Sequence, residues 1–177
     1  MKKINNNFFY SLGLFTLLIL KYFYATISTQ NLNFILGPTN YFLSLIIGSK
    51  GTYIQNLGYY HSNLNITIEK ACSGFNFMLI SFLVTYCLLI NHFKNQNLKM
   101  ATLPITLFFG WVLTIFVNVS RITSSIFINK FIAFPKPYQS LIHQSEGTFI
   151  YLFFLISSYK LINYLLNKYA VQNEKLA

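Results

Sequence analysis

The stretch Glu69-Lys70-Ala71-Cys72-Ser73-Gly74-Phe75-Asn76-Phe77-Met78-Leu79-Ile80-Ser81-Phe82-Leu83-Val84-Thr85-Tyr86-Cys87-Leu88-Leu89-Ile90 decides the fold. Past Gly74 it carries no charged side chain, and from about Ser73 to Asn91 it reaches the roughly 20 residues that a helix needs to cross a bilayer. A thiol stands at its mouth. Ser73 and Gly74 follow the sulfur and let backbone or substrate approach it closely.

Outward from this stretch the chain keeps the same character. It is 54% apolar and 19% aromatic with only 9% charged residues, far from a soluble average, and it reads as an all-α multi-pass membrane protein. The formal charge of +10 comes from 13 basic residues against 3 acidic ones. The lysines are scattered between apolar runs rather than gathered on a soluble face, which points to orientation in a lipid bilayer and not to nucleic acid.

Four spans are expected, over residues 8–29, 73–91, 101–120 and 147–166. Residues 34–48 are apolar but too short to cross, and hold Pro38, so an interfacial or half-inserted helix is expected over 38–48, closed by Gly48. Residues 49–71 make a small extracytoplasmic cap, where the alternation of Asn63-Leu64-Asn65-Ile66-Thr67 suggests a strand or β-hairpin. Residues 129–145 are expected as an outer linker. This order puts lysines 2, 3, 94, 99, 168 and 175 on one side against 50, 70, 130 and 136 on the other, and so places both termini in the cytoplasm. Lys21 then falls inside the first span, where it either snorkels to the interface or faces the bundle.

By this topology Cys72, Arg121 and His143 come from three segments to one face of the membrane. A cysteine reacts as thiolate, which a helix N-terminus or a nearby cation favours; in such a chain it can equally be a small apolar filler, as Cys87 is in mid-span. Arg121 is the only arginine. It ends a stripe of Thr114, Asn118, Arg121 and Ser125 at spacings of four, three and four, a polar face that must meet protein or water. Its fork suits a carbonyl oxygen or carboxylate, the bland reading being an interfacial anchor. His143 has the chemistry to activate a thiol and return a proton to a leaving amine. Glu146 either orients that imidazole or favours the positive end of the last helix. His61 and His92 have ordinary solvated explanations. No metal cluster, phosphate loop or dinucleotide fingerprint is present, and no cofactor is expected.

Ala71-Cys72-Ser73-Gly74, Asn118-Val119-Ser120-Arg121-Ile122 and His143-Gln144-Ser145-Glu146-Gly147 together resemble the exosortase/archaeosortase family of membrane sorting enzymes. Lys21-Tyr22-Phe23-Tyr24, Gly37-Pro38-Thr39 and Cys72-Ser73-Gly74-Phe75-Asn76-Phe77 are most similar to its compact exosortase K branch. The resemblance implies a cysteine peptidase or transpeptidase in a bacterial inner membrane, with Cys72 as nucleophile, His143 as general acid/base and Arg121 stabilising the oxyanion or thiolate. Ser73, Gly74, Asn76, Asn118 and Glu146 would support them. Larger exosortases carry an aliphatic residue and an arginine where this chain has Phe75 and Asn76. The implied substrates are secreted proteins ending in a short motif, one transmembrane helix and a basic tail, the PEP-CTERM arrangement. They would be cut at the outer face and passed to an acceptor. The competing reading is a small transport or ligand-binding component using Arg121, His143 and Lys21 as a charged site, against which the lack of paired carboxylates and of broken repeat halves counts.

Overall fold

The computed structural model describes residues 5–131 and 136–175; Lys2, Lys3 and Pro135 lie outside the described residues. Helix α1 covers Asn6–Thr26, α2 Asn33–Ile47, α3 Phe75–His92, α4 Gln96–Phe131 and α5 Lys136–Lys175. Strands β1 (Thr52–Ile54), β2 (Gly58–His61) and β3 (Ile66–Ile68) lie between α2 and α3 and form an antiparallel sheet in the order β1-β2-β3. Four segments are long and apolar enough to cross a membrane: Asn6–Thr26, Lys70–His92, Gln96–Phe131 and Leu141–Lys168.

Hydrogen bonds fix the direction of each helix. At one end of the bundle Tyr10 near the start of α1 donates to Asn91 at the end of α3, and Lys99 near the start of α4 donates to Asn6. At the other end Lys70, just before α3, donates to the Ile27 carbonyl beyond α1 at 2.7 Å. Thus α1 runs toward the sheet, α3 away from it and α4 back. α3 is the central element. Phe75, Met78 and Leu79 pack with Leu32, Ile35, Leu36, Leu43 and Ile68 near the sheet, while Phe82, Tyr86 and Ile90 pack with Phe9 at the far end. The other helices turn large apolar side chains outward: Phe15 of α1, Phe108 of α4 and Phe149 of α5 are all more than 60% exposed.

Several boundaries differ from the sequence expectation. α2 begins at Asn33, five residues before Pro38, so proline sits inside the helix. Proline has no N–H and leaves the carbonyl four residues earlier without a helical donor. That carbonyl is Phe34, and the Trp111 indole donates to it at 3.0 Å from α4. The helix therefore passes through Pro38 with its freed acceptor satisfied by a neighbour, and ends as expected at Gly48, whose φ of 72° is left-handed. The cap holds three strands. Its Asn63-Leu64-Asn65 is turn rather than strand, with Asn65 at φ 51°. Residues 129–145, expected as a linker, are helical up to Phe131 and again from Lys136. His61, expected to be solvated, is fully buried, its Nδ1 3.2 Å from Ser49 Oγ.

Candidate active site

Cys72 closes a 3₁₀ turn, Lys70–Cys72, that links β3 to α3. The turn is clamped from α1, where Tyr24 donates to the Lys70 carbonyl at 3.1 Å and stacks on Phe75 with ring centroids 4.7 Å apart. Ser73 is buried and its hydroxyl accepts from the Phe75 amide at 3.3 Å, which caps the start of α3. Gly74 has φ 70°, and a Cβ there would stand 3.1 Å from Thr114 and 3.4 Å from both Asn118 and Tyr151. Backbone conformation and close packing of α4 and α5 both require glycine at this position.

On α4 the stripe Thr114, Asn118, Arg121 and Ser125 faces inward, with Thr114 and Asn118 fully buried. Asn118 Nδ2 donates to the Cys72 carbonyl, and its Oδ1 accepts from the Tyr151 hydroxyl at 3.2 Å. Tyr151 in turn accepts from Arg121 Nη1 at 2.9 Å and lies against Phe77 with centroids 5.0 Å apart. The second Arg121 terminal nitrogen is 3.3 Å from His143 Nε2, while His143 Nδ1 is 3.0 Å from Ser125 Oγ.

These contacts settle the imidazole's form. A guanidinium only donates, so Nε2 must accept. The proton then resides on Nδ1 and is given to Ser125. A hydrogen-bonded chain therefore runs from the Cys72 carbonyl through Asn118, Tyr151, Arg121 and His143 to Ser125. Arg121 donates outward in both directions and is its hub.

Cys72, Arg121, Ser125 and His143 line one cavity of about 640 Å³, walled on its other side by Asn63–Ile68. Cys72 and Cys87 are both free thiols. Among the described residues no hydrogen bond joins the Cys72 sulfur to another side chain; the thiol and the imidazole share the lining of the cavity.

Most of the residues singled out in the sequence meet here, with two exceptions. Asn76 points away and accepts from Lys21 Nζ at 2.6 Å, which ties Lys21 to α3 rather than to solvent alone. Glu146 lies in the third turn of α5, too far along to serve the helix end, and its Oε1 is buried without a hydrogen-bond partner among the described residues. Tyr151 was not singled out. Its signal is the four-residue spacing of His143, Gly147 and Tyr151, which places all three on one face of α5. Gly147 admits the guanidinium: a Cβ there would lie 2.7 Å from Arg121 Nε.

Comparison with protein-family models, with curated proteins and with solved structures finds no match for this chain.

Proposed function

We propose that this protein is a membrane-embedded cysteine peptidase or transpeptidase of exosortase type. It would act on secreted proteins that end in a transmembrane helix and a basic tail. The observation that carries this reading is the single cavity shared by Cys72 from the α3 entry, Arg121 from α4 and His143 from α5. The outward apolar faces of four long helices suit a hydrocarbon solvent, with α2 too short to cross. Four crossings leave both termini on the side away from the cavity. Lys94 and Lys99, in the short connection and first turn between α3 and α4, favour the cytoplasm for that side.

In the proposed reaction the Cys72 thiol gives its proton to His143 Nε2 and the thiolate attacks the scissile carbonyl carbon. Arg121 donates to the oxyanion. As the C–N bond breaks, the imidazolium returns its proton to the leaving amine, and a thioester remains on Cys72. An acceptor amine or hydroxyl, or water, then displaces the sulfur. A substrate helix against the bundle delivers its peptide at the helix ends already oriented. Because Arg121 Nη2 occupies the Nε2 lone pair at rest, a substrate carbonyl that draws the guanidinium toward itself also frees the base. Proton transfer is thereby coupled to occupancy of the cavity.

The test is Cys72→Ala in the host. Secreted proteins with an apolar helix and basic tail are expected to accumulate uncleaved while the variant's own abundance is unchanged. In acceptor-starved wild-type cells a hydroxylamine-sensitive adduct on Cys72 is expected. Normal processing in the variant refutes the proposal. An impermeant maleimide should also label Cys72 in intact spheroplasts; labelling only after lysis reverses the proposed sidedness.

A further inference from the structure

We infer that β3 is the docking strand of the substrate: the peptide entering the cavity adds to its free edge as a fourth, extended strand. The inference rests on the peptidase reading and gives that site its mode of recognition. β3 pairs with β2 on one side only, and residues 63–68, the strand with the turn before it, line the cavity. The ladder identifies which groups are free. Tyr60 turns its carbonyl toward β1, where it accepts from Thr52 Oγ1 at 3.3 Å. In an antiparallel pair N–H and C=O of one residue point to the same side, so the Tyr60–Thr67 pair is a non-bonded one. Thr67 therefore directs its N–H and C=O away from β2, into the open edge. An extended chain bonded there continues along β3 toward Cys72, five residues on from Thr67, with the fork of Arg121 across the cavity from it.

This arrangement specifies the occupant. Backbone bonding to an edge strand selects an extended polypeptide whatever its side chains, and alternate side chains then face the α4 wall and the opening. A helical substrate segment must unwind just outside the bilayer before it reaches the thiol. The scissile peptide is thus met as a strand.

The experiment uses capture rather than turnover, so its failure is separate from failure of the peptidase reading. The probe is a Thr/Val nonapeptide with a central cysteine carried as its thiopyridyl disulfide, applied to detergent-solubilised full-length Cys87→Ala protein. The Cys72 thiolate attacks the peptide disulfide; a new S–S bond forms, the old one breaks, and pyridine-2-thione leaves and is read by its absorbance. A series of probes carries one backbone N-methyl group at each position in turn. Strand pairing predicts that methylation at the probe position opposite Thr67 slows capture about fivefold, the loss of one backbone hydrogen bond, while the positions on either side change it by less than twofold. Thr67→Pro removes the outward N–H that donates to a probe carbonyl, at an edge that tolerates proline, and should slow capture of the unmethylated probe about fivefold, while Thr67→Ala should leave its rate unchanged. Equal rates across the series overturn the inference. So does absence of capture when 2,2′-dithiodipyridine still modifies Cys72. If Thr67→Pro does not fold, the methylation series decides alone.

Discussion

Replacing Gly147 by alanine sets two opposed effects against each other in the last helix. Gly147 lies well inside α5, where alanine in place of glycine ordinarily stabilises by about 1 kcal/mol. Here the new methyl carbon would stand 2.7 Å from Arg121 Nε, 3.3 Å from Cζ and 3.4 Å from Cδ. The first of these is closer than carbon and nitrogen can pack, so the guanidinium must move. It is held at both ends, by Tyr151 at 2.9 Å and His143 at 3.3 Å, and a shift loses at least one of those bonds. A hydrogen bond from a charged donor is worth about 1.5–3 kcal/mol, which exceeds the helical gain. The net expectation is destabilisation by about 0.5–2 kcal/mol, or a melting temperature lower by roughly 1–8 °C. The assay is thermal unfolding in detergent of wild type, Gly147→Ala, Arg121→Lys and the double variant. Lysine puts a methylene where Arg121 has Nε, but its single ammonium is not pinned to Tyr151 and His143 at once and the chain can turn aside, so Gly147→Ala should be neutral or stabilising in that background, a coupling of about 1–3 kcal/mol. An equal loss in both backgrounds would refute the account of why glycine stands there.

Trp111→Phe keeps the aromatic bulk but leaves the Phe34 carbonyl with neither its helical donor nor the indole; a loss of about 1–2 kcal/mol is expected in the same melt. The matched control, Pro38→Ala with Trp111→Phe, returns an N–H to that carbonyl and should recover most of the loss. The cap should be sensitive to acid. Burial lowers the pKa of His61 below its ordinary 6.5, outweighing the opposing effect of the Ser49 contact. The folded cap therefore holds the imidazole neutral, unfolding takes up a proton below about pH 6.5, and stability present above that value is lost as the pH falls. In a Cys72→Ala, Cys87→Ala background, maleimide labelling of a cysteine placed at the half-buried Ile66, divided at each pH by that of a free cysteine peptide to remove the fall in thiolate, should rise between pH 7 and 5, and His61→Gln should flatten that dependence.

The four long apolar helices were legible because hydropathy over a whole window averages out local detail, and α3 covers Phe75–His92 where a helix over 73–91 was read. The polar stripe of α4 was legible for a related reason: Thr114, Asn118, Arg121 and Ser125 repeat at helical spacing, and a helix turns such a set to one side regardless of its neighbours. Helix ends were not. The turns around Lys130 and Lys136 lack strong stop or start signals, and the polar residues there read as a linker although the backbone stays helical on both sides. Pro38 looked like a beginning because the compensating donor, Trp111, lies 73 residues later, where only tertiary packing brings it into reach. Burial of His61 depends in the same way on how the sheet settles over Ser49. Tyr151 was hidden by abundance, one of 13 tyrosines, until its register with His143 and Gly147 gave it a direction.

The hub position of Arg121 explains why an arginine, in a chain whose other strong cations are all lysine, occupies this place. Its two bonded nitrogens serve different halves of the site. One passes through Tyr151 and Asn118 to the Cys72 carbonyl and so bears on where the Cys72 backbone lies; the other meets His143 and so bears on which imidazole nitrogen carries the proton. An ammonium radiates its donors from one point and cannot span Tyr151 and Nε2 from a single position while remaining in the helix-facing slot that Gly147 leaves open. The polarity is also fixed. Because the guanidinium never accepts, every bond on the Tyr151 side points toward Cys72, and the lone pair on the His143 side points back at Arg121.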